Sequence, residues 1–301
     1  MNDNQCGAGM PRVAVIGAGT MGAAMAGRLL ASRFEVDVWS RHLQSTVSLV
    51  DRGATAFSEV AEAVAQADVV LTMLPTANVT VEVMFDAKGL DAMSRDATWA
   101  QMATVGVGAT EGLAERVRVQ RPDITFVDAP VSGSRGPAES GQLLILASGD
   151  ATRVPALVSV FGALARKTMW LGPVGAGSRV KLILNTWLAF QVEGAAEAVS
   201  LANRFDLNPG TLLEALGDNP IASPYALAKL ERMIDGDYHA DFALDLALKD
   251  LELVKAEAGP HAAPVAAVMA DRWRHLVEDG ARGLDVSAAA RGLAEAGSRN
   301  D

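Results

Sequence analysis

The first half of the chain alternates short apolar runs with alanine-rich stretches, and this alternation constrains the fold more than any other feature. The runs are four to six residues long and rich in valine, leucine and isoleucine. Runs of this length, separated by helical segments, are typical of strands buried on both faces of a mostly parallel sheet. We therefore predict a doubly wound α/β domain. Its strands are predicted at 13–16, 36–39, 69–74, 98–103, 124–127 and 143–147.

The second half of the chain has a different pattern. From Gly177 onward the strand-like runs stop, and the remaining segments read as helices. Proline and glycine in the stretch 172–177, Gly-Pro-Val-Gly-Ala-Gly, interrupt both patterns, which predicts a domain boundary there. Helices are predicted at 178–204, 209–216, 224–233, 241–257, 265–278 and 286–294.

Composition argues against several classes of function. The chain carries 26 basic and 36 acidic residues, a net charge of −10, whereas nucleic-acid binding needs a basic face. An uncharged apolar run of roughly 18 residues, the minimum for a membrane span, is missing from the sequence. The four histidines lack the spacing of metal ligands, so no metal is expected. The single cysteine, Cys6, cannot form an internal disulfide, which favours a location in the cytoplasm.

A glycine-rich loop follows the first predicted strand. It reads Gly17-Ala18-Gly19-Thr20-Met21-Gly22 and leads into a helix, with a second strand near Val36. In this strand–loop–helix setting the three glycines permit a tight turn, close approach of the backbone to a pyrophosphate, and close packing of helix on strand. The helix N-terminus favours the anion. The loop therefore predicts a Rossmann-type dinucleotide site, the alternative being a turn without a ligand.

The end of the second strand indicates which dinucleotide binds. NAD sites place a carboxylate on the ribose 2′-hydroxyl about 20 residues after the loop, whereas an arginine there accommodates a 2′-phosphate. Here Ser40 and Arg41 occupy that region, and the rival carboxylate Asp37 falls in mid-strand. We predict NADP rather than NAD, although Arg41 as a plain surface cation is the alternative.

A second small-residue loop follows the predicted strand 124–127. It reads Asp-Ala-Pro-Val-Ser-Gly-Ser-Arg-Gly-Pro-Ala-Glu-Ser-Gly over 128–141. Strands of a doubly wound sheet deliver such loops to the ligand-binding edge. Ser132, Gly133 and Ser134 offer backbone amides and hydroxyls that suit a carboxylate. Taken alone, the loop is equally well read as a simple turn.

Helix 178–204 carries Lys181 and Asn185 four residues apart, so both project from one face. Gly175 and Gly177 precede them and let the helix start close to the sheet edge. A lysine near other cations, or partly desolvated, has its pKa lowered and is then able to act as an acid or a base. On its own, the pair is also compatible with a surface lysine and a surface asparagine.

These motifs, in this order, resemble the β-hydroxyacid dehydrogenase family over nearly the whole chain, roughly residues 12–293. The family includes 3-hydroxyisobutyrate dehydrogenases, tartronate semialdehyde reductases and glyoxylate/succinic semialdehyde reductases. The resemblance implies that Lys181 is the catalytic acid/base and that Asn185 holds it and the substrate. The segments that carry it are 17–22, 128–141, 175–185 and Lys249-Asp250-Leu251.

The resemblance implies further roles. Met73-Leu74-Pro75 and Thr104 are expected to line the cofactor site, and Lys249 to reach the cofactor, while Asp250 is expected to be structural. Phe242 and Asp245 lie seven and four residues before Lys249, so all three are expected on one helix face, with Phe242 and Asp245 lining the substrate pocket. A core position is an equal alternative for Phe242.

Departures from the family pattern bear on the substrate and on the type of reaction. Ser134 stands where many relatives have glycine, which leaves the substrate open within the family. The related 6-phosphogluconate dehydrogenases carry a glutamate seven residues after the lysine, where this chain has Leu188, so decarboxylation is not expected. Imine reductases usually replace the lysine, and scaffold relatives have lost it, so the presence of Lys181 speaks against both. An imine reductase-like enzyme and a non-catalytic NADP-binding scaffold are the two alternatives.

Three parts are predicted in all. Residues 1–11 form a disordered leader, 12–174 the NADP-binding Rossmann-type domain, and 175–301 an all-α domain that completes the site for a small carboxylate substrate. The alanine-rich apolar faces of helix 181–201 and the later helices exceed what one small helical domain buries. We therefore expect a homodimer or homotetramer through this domain.

Overall fold

The computed structural model describes residues 10–259 and 261–294. The chain divides into two compact units, the first ending at Lys181 and the second beginning at Leu182. The predicted leader 1–11, with Cys6, lies outside the described residues except for Met10 and Pro11. The end of the predicted helical domain, 295–301, lies outside them as well.

A six-stranded parallel sheet forms the centre of the first unit, in the order β3-β2-β1-β4-β5-β6. Chain order reverses between β1 and β4, so the sheet is doubly wound, as predicted. The short edge strand β3 was missed because it has only three residues, with exposed or half-buried side chains. The strands are β1 (Val13–Ile16), β2 (Val36–Trp39), β3 (Thr55–Phe57), β4 (Val69–Thr72), β5 (Thr98–Gln101) and β6 (Thr125–Asp128).

Both faces of this sheet are buried. Val13 and Val15 face one apolar layer, while Ala14 and Ile16 face the other, as the two-residue period of a strand requires. Helices cover both layers, which explains why the strands read as continuous apolar runs. The helices are α1 (Thr20–Ala31), α2 (Val47–Val50), α3 (Val60–Val64), α4 (Ala77–Val81), α5 (Gly89–Ala92), α6 (Val107–Gln120), α7 (Arg135–Ser140) and α8 (Pro155–Leu164).

A second, three-stranded sheet completes the first unit. It contains β7 (Val131–Ser132), β8 (Leu143–Ala147) and β9 (Ala165–Trp170), with β8 antiparallel to β7 and parallel to β9. The predicted strand 143–147 has the right bounds, but it belongs to this sheet rather than to the parallel one. The charged strand β9 was missed. A bridge between Asp128 and Ser148 connects the end of β6 to the residue after β8.

Helix α9 (Ala176–Arg204) begins in the first unit and continues into the second, which is helical in its described residues. The prediction of a helix from Asp241 was wrong at its start, since Ala243 has extended backbone and the helix begins at Leu244. The remaining helices are α10 (Gly210–Gly217), α11 (Pro224–Asp235), α12 (Leu244–Ala258), α13 (Pro264–Leu276) and α14 (Arg291–Ala294).

Charged residues are built into the core of the helical unit. Lys229 and Asp285, 6% and 0% exposed, form an ion pair at 2.7 Å between α11 and the segment after α13. Glu193 on α9 accepts two hydrogen bonds from Arg272 and one from the indole of Trp273, all between 2.6 and 2.8 Å. These contacts connect α9 to α13, and α11 to the segment that follows α13.

Within residues 10–259 and 261–294, no helix has the length and apolarity that crossing a bilayer requires. The same residues contain no group of three histidine, cysteine, aspartate or glutamate side chains suited to a metal ion.

Candidate active site

The first glycine-rich loop lies at the carboxyl end of β1, and steric contacts fix its glycines. Gly17 has a φ of +107°, and a Cβ there would lie 2.4 Å from the carbonyl oxygen of Met73. A Cβ on Gly22 would lie 1.9 Å from the carbonyl oxygen of Gly17, so helix α1 packs directly on the turn. Around Gly19, by contrast, a Cβ would meet no described atom within 4 Å. The middle glycine is therefore open to a ligand.

The donor set of this loop fits a pyrophosphate. Helix α1 begins at Thr20, directly after the exposed Gly19, which has no side chain to cap it. Its first turn, Thr20-Met21-Gly22-Ala23, contains no acidic residue. A helix N-terminus of this kind presents backbone amides and the positive end of its dipole to an anion. The loop 17–22, Ala18 included, therefore suits the phosphates of a dinucleotide.

Ser40 and Arg41 follow β2 at the same edge of the sheet. The hydroxyls of Ser40 and Ser45 are 2.9 Å apart, and Ser45 also donates to the carbonyl of His42 at 2.7 Å. Arg41 is exposed. The rival carboxylate, Asp37, is 2% exposed and accepts hydrogen bonds of 2.6 and 2.7 Å from the guanidinium of Arg12. Asp37 is therefore engaged in a part-buried ion pair with Arg12.

The loop after β4 touches the glycine-rich loop. The amide of Met73 donates to the carbonyl of Ile16 at 2.9 Å, and Leu74 is buried beside Gly17. Pro75 is exposed at the sheet edge. This strand end therefore lies next to the loop 17–22.

Thr104 follows β5, and a buried amide that sequence reasoning missed shapes the turn leading to it. The side chain of Gln101 donates to the carbonyl of Ala103 at 2.7 Å and accepts from the amide of Ala103 at 3.0 Å. The hydroxyl of Thr72 donates to the side-chain oxygen of Gln101 at 3.4 Å and accepts from the indole of Trp99 at 2.9 Å. Thr104 itself is half-buried.

The second small-residue loop contains a short strand and a helix. Ser132 ends β7, and Gly133 has a φ of +130°, which favours glycine. Ser134 has extended backbone and precedes α7. Arg135 is exposed and pairs with Glu139 at 2.7 Å, one turn along α7. Residues 132–134 thus present small side chains and backbone amides, while the arginine belongs to the surface.

The start of helix α9 is held by a buried carboxylate that the sequence did not single out as a site residue. Asp128, at the end of β6, is 0% exposed. It accepts hydrogen bonds from the amide of Ser178 at 2.9 Å, the hydroxyl of Ser178 at 2.8 Å and the hydroxyl of Ser148 at 2.9 Å. The Ser148 hydroxyl accepts in turn from the amide of Gly177 at 3.0 Å. The one signal in the sequence was a carboxylate directly after a buried strand.

Burial raises the pKa of Asp128 above its ordinary value of 3.8, and the hydrogen bonds from Ser178 and Ser148 oppose the shift. The hydroxyl of Thr110 lies 3.3 Å from that of Ser178 and donates to the carbonyl of Gly106 at 2.8 Å. The network therefore extends from β6 to helix α6.

Lys181 is half-buried and follows Ser178 by three residues on α9, so it lies on the turn next to the anchored one. Within the first unit, the structure thus places Lys181 on a helix that begins at the carboxyl edge of the sheet. Loops 17–22, 40–41, 73–75 and 102–104 leave the sheet at the same edge, because its strands are parallel.

Asn185, Asp250 and Lys249 come together in the helical unit. The side-chain amide of Asn185, on α9, donates to a carboxylate oxygen of Asp250, on α12. The ammonium of Lys249 lies 3.2 Å from the other oxygen of Asp250. Asp250 is 4% exposed, so the buried carboxylate connects two predicted site residues that lie 64 positions apart.

The remaining predicted substrate residues are separated by the actual start of α12. Asp245 lies on the first turn, one turn before Lys249, and accepts from the amide of Gly283 at 3.1 Å. Phe242 precedes the helix and packs partly buried against the core of the helical unit. The prediction that Phe242 shares the helix face of Asp245 and Lys249 was therefore wrong.

Comparison with known proteins gives matches along almost the whole chain. Residues 12–172 match the family model described as the NAD binding domain of 6-phosphogluconate dehydrogenase. Residues 175–293 match the model described as NAD-binding of NADP-dependent 3-hydroxyisobutyrate dehydrogenase. The chain is 32% identical over 279 residues to glyoxylate/succinic semialdehyde reductase 1 of Arabidopsis thaliana, covering 92% of this chain and 96% of that protein.

Two other similarities bear on function. The chain is 28% identical over 277 residues to the cytokine-like nuclear factor N-PAC of Drosophila pseudoobscura pseudoobscura, which covers 91% of this chain but 45% of that protein. Among solved structures, 3-hydroxyisobutyrate dehydrogenase of Mycobacterium tuberculosis with L-serine superposes with a TM-score of 0.83. That protein is 26% identical, and the match covers 95% of this chain and 99% of the other.

Proposed function

Because the chain belongs to the β-hydroxyacid dehydrogenase family of NAD(P)-dependent oxidoreductases, we propose that it interconverts a small β-hydroxyacid and its semialdehyde or keto acid, with NADP as the preferred cofactor. Residues 12–174 would bind the dinucleotide, and residues 175–301 would complete the substrate site. The similarity to a glyoxylate/succinic semialdehyde reductase supports a short aldehyde that carries a carboxylate.

Loop 17–22 is the proposed holder of the pyrophosphate, because its middle glycine is open and helix α1 begins beside it. Ser40 and Arg41 would bind the 2′-phosphate, since Asp37, the carboxylate that would favour NAD, is already paired with Arg12. Met73, Leu74, Pro75, Thr104 and Lys249 would line the rest of the cofactor site. A nicotinamide held there would supply the hydride acceptor for oxidation of the carbinol carbon and the hydride donor for reduction of the carbonyl carbon.

Ser132, Gly133 and Ser134 are the proposed holders of the substrate carboxylate. Gly133 has a positive φ, and residues of this kind turn successive backbone amides towards one point, where an anion can accept from them. The hydroxyls of Ser132 and Ser134 add two more donors. Phe242 and Asp245 would bound the substrate pocket from the helical domain.

Lys181 is the proposed acid/base. In the oxidation its Nζ takes the proton of the substrate hydroxyl, and in the reduction it returns that proton to the carbonyl oxygen. Asn185 would orient Lys181 and the substrate. Its side-chain nitrogen donates to Asp250, which fixes the plane of the amide and makes its oxygen the available acceptor. The 6-phosphogluconate dehydrogenases, which decarboxylate their substrate, have a glutamate at the position of Leu188. Leucine cannot donate a proton, so we expect this chemistry to proceed without decarboxylation.

The observation that carries the proposal is the position of Lys181, one turn after a helix start anchored at the edge of the sheet where the glycine-rich loop lies. The test is a panel of glyoxylate, succinic semialdehyde, methylmalonate semialdehyde and tartronate semialdehyde, followed by NADPH absorbance and repeated with NADH. Turnover of at least one, with a higher kcat/KM for NADPH, is expected. Turnover of cyclic imines alone would favour an imine reductase. Tight NADPH binding without turnover of any substrate would favour a non-catalytic scaffold.

Exposed apolar side chains on α9 support assembly through the helical domain. Ile183 and Trp187, one turn apart, are 68% and 63% exposed. Large apolar side chains in such a row usually mark an interface. We expect a homodimer or homotetramer, and a monomeric mass in light scattering at micromolar concentration would contradict this.

A further inference from the structure

Three hydrogen bonds to the side chain of Asp128 serve the start of helix α9. Two come directly from Ser178, and the third comes from Ser148, which itself accepts from the amide of Gly177. The first amides of a helix have no partner within the helix and need acceptors from elsewhere. Here two strand ends supply those acceptors, β6 through Asp128 and β8 through Ser148. The first turn is thereby tied to both sheets of the unit.

Packing shows how little freedom this turn has. A Cβ at Gly177 would lie 2.1 Å from the carbonyl oxygen of Leu146 and 3.2 Å from the Asp128 carboxylate. The helix backbone therefore rests directly on the end of β8. Since a helix is rigid over one turn, the height of residues 177 and 178 above the sheet also sets the height of Lys181.

We propose that Asp128 is a positioning residue for Lys181, acting through the first turn of α9 and touching neither substrate nor cofactor. This inference rests on the proposed role of Lys181 as acid/base. Proton transfer requires heavy atoms within about 3 Å, and an error of 1 Å in placement costs on the order of 100-fold in rate. A residue that fixes the helix start therefore acts on kcat.

Two substitutions at position 128 distinguish the effect of the hydrogen bonds from the effect of the negative charge. In Asp128→Asn the remaining oxygen still accepts from the Ser178 amide and the Ser148 hydroxyl. The new amino group donates to the Ser178 hydroxyl, which then donates to Thr110, 3.3 Å away. The contacts of residue 128 with Ser178 and Ser148 are therefore all kept. Asp128→Ala removes them all, so the two variants differ in anchoring, while both lack the charge.

The experiment compares Asp128→Ala, Asp128→Asn and the control Asp150→Ala. Asp150 is an exposed aspartate that accepts from the amide of Thr152 in the same unit, outside the network. Asp128→Ala is expected to lower kcat about 10- to 100-fold with the NADPH dissociation constant within about twofold. Asp128→Asn is expected to keep kcat within about threefold, and the control to match the wild type. Hydrogen exchange of the peptide spanning residues 176–184 should accelerate in Asp128→Ala alone.

Wild-type kcat in Asp128→Ala would overturn the inference, as would a loss in Asp128→Asn equal to that in Asp128→Ala. If Asp128→Ala does not fold, Ser148→Ala removes one anchor and is expected to lower kcat about three- to tenfold at unchanged NADPH affinity. Hydrogen exchange needs no turnover, so unchanged exchange at residues 176–184 refutes the anchoring itself. An active Lys181→Ala variant would instead refute the role of the lysine and leave the exchange result standing.

Discussion

The backbone of Gly177 lies so close to β8 that a Cβ there would be 2.1 Å from the carbonyl oxygen of Leu146. Real Cβ atoms do not approach oxygen this closely, so any side chain at 177 displaces the helix start. Gly177→Ala is expected to lower stability by about 1–3 kcal/mol through overpacking and to lower kcat. Urea denaturation and steady-state kinetics would measure both effects.

The control for that substitution is Gly112→Ala, in the middle of α6, where a Cβ would meet no described atom within 4 Å. Alanine in a helix interior is favoured over glycine by about 0.5–1 kcal/mol, so this variant should gain stability. A stability change of the same sign in Gly177→Ala and Gly112→Ala would contradict the close packing of Gly177 against β8.

Removal of the proposed acid/base should affect chemistry and leave binding intact. Lys181→Ala is expected to lower kcat by about 10²–10⁴ while the NADPH dissociation constant, measured by fluorescence titration, stays close to wild type. Lys167→Ala, at an exposed strand residue of the same unit, is the matched control. Retained activity in Lys181→Ala would exclude the proposed mechanism.

Replacement of Arg41 should change the discrimination between cofactors. A charge-assisted hydrogen bond to a phosphate is worth about 1.5–3 kcal/mol, so Arg41→Ala is expected to lower kcat/KM for NADPH about 10- to 100-fold. The value for NADH should change little, because NADH has no 2′-phosphate. Arg166→Ala, an exposed arginine on β9, controls for the loss of a surface charge. Equal losses with both cofactors would show that Arg41 does not read the phosphate.

The buried ion pair of the helical unit predicts a large stability effect. In Lys229→Met the carboxylate of Asp285 stays buried without its 2.7 Å partner, which is expected to cost about 3–5 kcal/mol in the free energy of unfolding. The exposed pair Arg118–Glu115 provides the comparison, because Arg118→Met should leave the denaturation midpoint unchanged. A midpoint for Lys229→Met as close to wild type as that of Arg118→Met would refute this interpretation.

The pKa of Asp128 predicts how stability depends on pH. Because burial raises this pKa above 3.8, the unfolded chain releases the proton first as the pH rises. The contribution of Asp128 to wild-type stability then falls from about pH 4 until the folded-state group ionises as well. Asp128→Asn lacks this component, so its stability relative to wild type should increase with pH over that window. Melting temperatures from about pH 3 to about pH 7 would measure the difference.

Asp150→Asn is the control with the opposite sign. Hydrogen bonds from Thr152 lower the pKa of Asp150, so its contribution is present above 3.8 and is lost as the pH falls through the lowered pKa. The stability of that variant relative to wild type should therefore decrease with rising pH. Parallel curves for the two variants would contradict the assignment.

Apolar runs made most of the sheet predictable. The runs 13–16 and 36–39 match β1 and β2, because buried parallel strands need apolar residues on both faces. Strand β9 was not predicted because it lies at the edge of a small sheet. Its exposed residues Arg166 and Lys167 interrupt any apolar run. The apolar pattern also could not show that strand 143–147 belongs to the second sheet, because the sequence of one strand does not specify which strands it pairs with.

The site was predictable where backbone chemistry determines it. Glycines 17 and 22 follow from local turn geometry, and the structure supplies the clashes that require them. The contacts of Asp128 with Ser148 and Ser178, and of Asn185 with Asp250, join residues 20 to 65 positions apart. Such pairs depend on the tertiary fold. A carboxylate at the end of a buried strand indicates that hydrogen-bond donors must lie nearby. It does not indicate which residues provide them.

The contact between Gly17 and Met73 bears on the engineering of this enzyme for another cofactor. Each residue limits the space of the other, so a mutant library at 17 would at the same time disturb the strand end expected beside the nicotinamide. Arg41, His42 and Ser45 are exposed, and their side chains can be exchanged without such a clash. Directed evolution of cofactor choice should therefore randomise 40–45 and keep the glycines as an invariant frame.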